Sequence, residues 1–418
     1  MKFKITLLWL PAVLGFLSNC ALSAEKPAPK GASEMSASSV SISFLDAETG
    51  KAAIIDNSLE PYFEILREME MSAKTGSPIS GQTLEEQRQQ CRKRYQAGVR
   101  EFTNNEKEAI RCCVKELYPA LKDQYPLFGE MPWSFIKVSG NIEGGLSHTR
   151  DRHIVFSERT CKRFATLHQS TPERVPLFFG SLLVHEQMHV FQRTHPGLFD
   201  SLYTEVWGFI KAKKIESCPW LEKHHLVNPD GVDCCWVFPV RHGEGAIYIQ
   251  PLVVFAEGQG LKRMGRDFRM IAVELVKSNG RFRTRVAEDG KPIFRNLLEV
   301  PEYRKVFPST GNIYHPNEAC ASVFAQIVMT DSFSQARSRA EKVEKELARL
   351  RKWFAENLKE KRPSKPKKDT AQQLYEKVIE LIAEQGVSVE KGALGEYMHV
   401  SSINYGPVTF LLDSTRLF

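Results

Sequence analysis

Leu182-Leu183-Val184-His185-Glu186-Gln187-Met188-His189-Val190-Phe191 is the stretch on which the reading of the fold turns. On an α-helix, His185 and His189 stand four residues apart, one turn along the same face. Two imidazoles so placed reach one Zn²⁺ at about 2.0–2.1 Å. Glu186 follows the first histidine directly and projects beside such a metal, where a general base would hold a zinc-bound water. A bare His-Glu-x-x-His arises by chance in roughly a few per hundred chains of this size. The apolar flanks (Leu182, Leu183, Val184, Met188, Val190, Phe191) and the uncharged Gln187 make accident a poorer account. The competing reading is two histidines on a core helix with no metal.

The stretch resembles the active-site helix of the zincin metallopeptidases. That resemblance implies an α+β fold, a zincin-like metalloprotease domain with a mixed sheet over the motif helix. It implies a zinc-dependent hydrolase with Glu186 activating the water and a peptide or protein as substrate. In that class an edge strand of the sheet pairs with extended substrate backbone. The alternative of another class is a zincin-like binding or scaffold protein with weak turnover or none.

Catalytic zinc usually has three protein ligands and one open position. Two glutamates compete for the third place. Glu318 lies in Tyr314-His315-Pro316-Asn317-Glu318-Ala319-Cys320-Ala321-Ser322, which resembles the Glu-x-x-Ala pattern of zincins with a distant third-ligand helix. Pro316 near the helix start, with Ala319 and Ala321, predicts close packing on the motif helix. Ser322 stands where that pattern often has an Asp supporting a ligand histidine. Glu205, in Leu202-Tyr203-Thr204-Glu205-Val206, follows the order of zincins with a glutamate on the next helix, at a short gap. Glu318 is the preferred ligand and Glu205 the alternative. Tyr314 and His315 are candidate oxyanion stabilisers, or else packing and capping residues.

Length bounds the rest: 418 residues suit two or three domains. The composition, 42% apolar and 26% charged, is that of an ordinary globular chain, and a net charge of +7 does not by itself call for nucleic acid. Residues 1–24 read as an export signal: Lys2 and Lys4, the apolar run Ile5 to Phe16, and the small-residue site Ala21-Leu22-Ser23-Ala24. The segment is a poor membrane span, so no stable span is expected once it is removed. A lipoprotein anchor at Cys20 is a lesser option, since Asn19 precedes the cysteine; an uncleaved membrane anchor is another. Periplasm or secretion is the expected location. Export permits disulfides among Cys91, Cys112, Cys113, Cys161, Cys218, Cys234, Cys235 and Cys320, an even set without C-x-x-C spacing. In each adjacent pair, Cys112-Cys113 and Cys234-Cys235, one buried and one bonded cysteine is expected.

Residues 25–43, rich in Ala, Ser, Pro and Lys, read as a disordered linker. The zincin-like domain is expected over 44–337. Within it Leu59 to Ala73 has a helical period, and Thr83 with Glu86 forms a capping box before a helical region reaching Leu121, with Thr103-Asn104-Asn105 as a candidate break. Trp133–Val138 and His153–Phe156 read as strands, Pro176–Thr194 as the motif helix and Leu198–Phe209 as a second helix. Asn228-Pro229-Asp230-Gly231 is a turn, with strands at Trp236–Phe238 and Ala246–Ile249. His148 and His153 are expected to be surface or hydrogen-bonded histidines rather than ligands. Residues 338–369 read as a charged, solvated helix with one packed face, then a linker.

Residues 370–418 resemble the C-terminal part of D-aminoacyl-tRNA deacylases. Gly392-Ala393-Leu394-Gly395-Glu396-Tyr397-Met398-His399-Val400 and Asn404-Tyr405-Gly406-Pro407-Val408-Thr409 carry the likeness. The resemblance implies that Gly406 and Pro407 read the chirality of an aminoacyl group. The family's N-terminal strands and its Ser-Gln-Phe-Thr segment are absent from this chain. The segment therefore reads as a captured fragment or a chance likeness, forming a small α/β appendage; a deacylase-related protein is the third functional hypothesis.

Overall fold

A computed structural model describes residues 40–359 except 233, 243–244, 259 and 334–340, together with 376–377, 379–381 and 384. The chain divides into two compact units, residues 1–360 and 361–418. The expected export signal and the Gly406-Pro407 segment lie outside the described residues.

Two sheets and a set of helices build the first unit. Its strands are β1 Ile42–Phe44, β2 Val99–Arg100, β3 Trp133–Val138, β4 His148–Arg150, β5 His153–Ser157, β6 Ile210–Lys211, β7 Ile215–Glu216, β8 Trp236–His242, β9 Gly245–Phe255, β10 Phe268–Ser278, β11 Arg281–Thr284 and β12 Phe294–Asn296. Its helices are α1 Ala47–Ala53, α2 Tyr62–Ile65, α3 Glu68–Thr75, α4 Leu84–Gly98, α5 Asn104–Gln124, α6 Pro126–Gly129, α7 Glu158–Ser170, α8 Val175–Thr194, α9 Pro219–His224, α10 Pro301–Val306, α11 Pro316–Phe333 and α12 Glu341–Asn357.

The first sheet has the order β1-β3-β5-β4, with β2 on β3. β1, β3 and β5 run parallel, and β4 runs antiparallel to β5 at the edge. Residues 42–43, expected in a disordered linker, instead join the sheet, because Ile42 and Phe44 pack against the core beside Phe135. The second sheet is antiparallel except at β7, in the order β6-β8-β9-β10-β11-β7.

Local chemistry starts the helices where the sequence signals them. Thr83 and Thr103 each accept from the third following backbone N–H, while Glu86 and Glu106 reach back, so two capping boxes open α4 and α5. The period over Leu59–Ala73 becomes two short helices, α2 and α3, parted by extended backbone at Leu66 and Arg67. The expected helix over Leu198–Phe209 shrinks to one π-turn at Leu202–Val206. α8 lies at the centre, burying Phe179, Leu183, Val184, Met188, Val190 and Phe191 against α5 and α11. Ala319, Ala321 and Ala325 keep α11 slim, as does Gly180 on α8, where a Cβ would meet Met329 Sδ at 2.7 Å. α12 belongs to this core through Leu347, Leu350, Phe354 and Leu358.

Among the described residues Cys91, Cys112, Cys113, Cys161, Cys218 and Cys320 are unbridged. In the Cys112-Cys113 pair the expected bonded cysteine is therefore not bonded. Adjacent residues on α5 point to different faces, so Cys113 enters the core and Cys112 stays half-buried. No described helix is long and apolar enough to cross a membrane.

Candidate metal centre

α8 carries His185 and His189 on one face, and α11 crosses it to deliver Glu318 from the first helical turn. One ligand atom from each of the three lies within 4.8 Å of the others. His185 Nε2 is 3.4 Å from Glu318 Oε2, and His189 Nε2 is 3.5 Å from Oε1. The two Nε2 atoms are 3.0 Å apart.

The surroundings decide which imidazole nitrogens carry protons. Gln192 Nε2 donates to Asn317 O (3.1 Å), which only accepts, and to Tyr203 Oη (3.0 Å). Gln192 must therefore present Oε1 to His189 Nδ1 at 2.9 Å, so Nδ1 is the protonated nitrogen and Nε2 offers a lone pair. His185 Nδ1 faces Ser322 Oγ at 3.4 Å, leaving its Nε2 turned to the same point. The His189 Nε2 lone pair, the His185 Nε2 and a carboxylate thus converge on one small volume. A cation satisfies such a donor set, and its nitrogen and oxygen atoms suit zinc.

Burial disfavours charge on every member, and the partners settle the outcome. Burial drives the His189 pKa below the usual imidazole value despite the pull of Glu318. Burial likewise opposes the Glu318 charge, but His189, His185 and Asn228 outweigh it and hold the carboxyl well below the usual range. Glu186 is pushed well above its ordinary value, first by burial and then by Asp230 and Glu318. Its Oε2 is buried without a hydrogen-bond partner. A buried, orphaned carboxylate oxygen beside a convergent donor set is the fit that a cation centre with a general base needs.

The alternative ligand Glu205 is exposed on the π-turn and stands outside the triad. Tyr314 is half-buried and hydrogen-bonded to Glu318, with its phenol pushed well above the usual value, first by burial and then by that carboxylate. His315 Nδ1 accepts from the Asn317 N–H (3.1 Å) and so caps α11. His148 is buried with Nδ1 on Leu146 O (3.1 Å), and His153 Nδ1 meets Ser134 Oγ (2.8 Å); neither joins the triad.

Three residues of the centre escaped the sequence reading as contributors: Gln192, Asn228 and Asp230. Gln192 follows His189 at helical i+3 spacing, a readable signal. Asn228 and Asp230 come from a turn forty residues on, which carried none. Asp230 Oδ1 accepts from both the backbone N–H (2.6 Å) and the hydroxyl (2.7 Å) of Thr149 on β4. At the sheet edge, the Thr149 N–H of β4 is therefore taken by the Asp230 carboxylate.

Residues 354–413 match the family model described as D-Tyr-tRNA(Tyr) deacylase. The chain is 50% identical over 50 residues to a D-aminoacyl-tRNA deacylase of Thermotoga petrophila, covering 12% of this chain and 34% of that protein. It is 44% identical over 66 residues to a D-aminoacyl-tRNA deacylase of Bacillus velezensis, covering 15% and 45%. The C-terminal region is similar to this deacylase family, and identity over that length sets aside a chance likeness. The chain spans less than half the length of these relatives. No solved structure matches. His185, His189 and Glu318 lie outside the matched residues.

Proposed function

We propose that this chain is an exported zinc-dependent hydrolase of peptide bonds. The observation that supports it is the convergence of His185, His189 and Glu318, with the unpartnered Glu186 Oε2 beside them. Those three residues would hold the ion through two Nε2 atoms and a carboxylate. When bound, zinc supplies Lewis acidity that acidifies water and polarises a carbonyl. Glu186 takes the proton of the attacking water and passes it to the leaving amine. In the metal-free chain burial, then Asp230 and Glu318, hold its pKa above the usual carboxylate value. Gln192 and Ser322 fix the two imidazole planes. The antiparallel edge strand β4 beside α8 supports the zincin-like reading of the domain, and the export signal expected in residues 1–24 supports the location.

Metal analysis of the purified full chain tests this. Wild type should hold about one zinc, Glu318→Ala should lose it and Glu205→Ala should keep it, with folding checked by circular dichroism. Glu186→Gln should keep zinc and lose cleavage of unfolded casein by ~10²–10⁴-fold. A folded wild type without zinc refutes the hydrolase reading. Zinc without cleavage in wild type leaves the scaffold reading in its place.

The C-terminal similarity favours a second reading, a deacylase-related element in which Gly406 and Pro407 face an aminoacyl group. Hydrolysis of D-aminoacyl-tRNA by the full chain, lost in Pro407→Ala and unchanged in Glu186→Gln, would carry it. Recovery of a processed chain from the periplasm would count against it, because aminoacyl-tRNA is not met there.

A further inference from the structure

The turn Asn228-Pro229-Asp230-Gly231 lies at the metal centre although nothing in its sequence marks it as functional. Asn228 Nδ2 donates to Glu318 Oε1 at 2.7 Å. The Asn228 amide has no freedom to flip, because its Oδ1 accepts from the Asp230 N–H at 3.2 Å and so aims Nδ2 at the carboxylate. The turn is itself pinned at every residue. Lys74 Nζ, fully buried, donates to Val227 O (2.9 Å), and Glu70 accepts from Val227 N–H (2.9 Å). Arg193 Nη2, from α8, donates to Pro229 O (2.7 Å). Asp230 is held by Thr149, and Asn317 Nδ2 donates to Asp230 O (3.4 Å). Gly231 permits the close approach of α11: a Cβ there would sit 2.9 Å from both Asn317 Nδ2 and His315 Cε1.

We infer that Asn228 is the positioning residue of the third metal ligand, fixing Glu318 from a turn that buried charges hold rigid. This rests on the metal-centre reading above. Glu318 has three side-chain torsions to fix, and Asn228 Nδ2 shares with the Tyr314 hydroxyl the task of holding its carboxylate. A donor on Oε1 fixes the carboxylate plane and leaves Oε2 nearest His185, in the way outer-shell partners orient metal ligands elsewhere.

The test compares full-length wild type, Asn228→Ala and the isosteric Asn228→Asp, which replaces the donor by an acceptor. Zinc dissociation constants are measured by competition with a chromophoric chelator, and the visible spectrum is recorded after loading with cobalt(II). Both variants should bind zinc ~10–100-fold more weakly, with a shifted cobalt band in the folded fraction; Asn228→Asp, which sets a second carboxylate against Glu318, should also lower the metal-free melting temperature. A merely structural role would move the melting temperature and leave the cobalt spectrum of the folded fraction unchanged. Wild-type affinity and spectrum in both variants overturn the inference. A wild type that takes up neither zinc nor cobalt overturns the metal-centre reading, and this inference with it.

Discussion

Replacing Lys74 by Met should cost most of the fold's margin and loosen the metal centre together. Lys74 and Glu143 are both buried, 0% and 1% exposed. The ammonium lies 3.2 and 3.1 Å from the two Glu143 oxygens and 2.9 Å from Val227 O. Glu143 also accepts from the Tyr62 and Tyr95 hydroxyls at 2.5 Å each. Methionine matches the lysine stem but leaves a buried anion without its counter-ion and a buried carbonyl without its donor. Removing one partner of such a pair costs about 3–5 kcal/mol, a large part of the ~5–15 kcal/mol that holds most proteins folded. The sign of the pH effect follows from Glu143. Burial opposes its charge in the wild type, but Lys74 above all, then His148 and the tyrosines, keeps its pKa lowered. That stability is present above the unfolded carboxylate value and is lost as pH falls. Without Lys74, burial prevails and raises the pKa, so the variant loses stability as pH rises. The gap between the two proteins should therefore shrink from pH 7.5 to pH 5.5. Urea unfolding followed by tryptophan fluorescence at both pH values measures it, with Lys74→Met/Glu143→Gln recovering part of the loss. Zinc affinity should fall in Lys74→Met, because Val227 adjoins Asn228. A loss below about 1 kcal/mol at pH 7.5, or a gap that widens on acidification, would refute the reasoning.

Two further outcomes follow from the same geometry. The His225 pKa is lowered to about 4, first by burial and then by Arg67, so its neutral form stabilises the fold above pH 6.5 and that contribution drains away down to about pH 4. It amounts to at most about 3 kcal/mol, and His225→Gln should flatten the acid limb of the urea-midpoint profile; an unchanged limb would show that other groups govern it. Ser322 sits 3.4 Å from His185 Nδ1, a weak contact. Ser322→Asp, offering a charged acceptor that reaches further, should tighten zinc binding by about tenfold in chelator competition. Equal or weaker binding would mean that Ser322 does not orient this histidine.

What the sequence determined by itself was what repeats within a few residues. The four-residue spacing of His185 and His189 placed both on one face of α8, and the Thr-x-x-Glu box at Thr83 set a helix start. The period-two runs gave β3 and β5 nearly residue for residue. Each rests on local backbone geometry, which the sequence carries directly. The weak points were local too: the apolar period over Leu59–Ala73 could not announce the break at Leu66, and that over Leu198–Phe209 could not foretell its collapse to one π-turn. The choice between Glu318 and Glu205 belonged to the tertiary structure. Both are glutamates in helix-prone sequence, and only the close crossing of α11 on α8, allowed by Gly180 and the alanines, brings one of them to the histidines. The same holds for Asn228 and Asp230. Their turn was legible as a turn, but its seat between Lys74, Arg193 and Thr149 is fixed by buried partners up to about 150 residues away, a distance over which no sequence period extends.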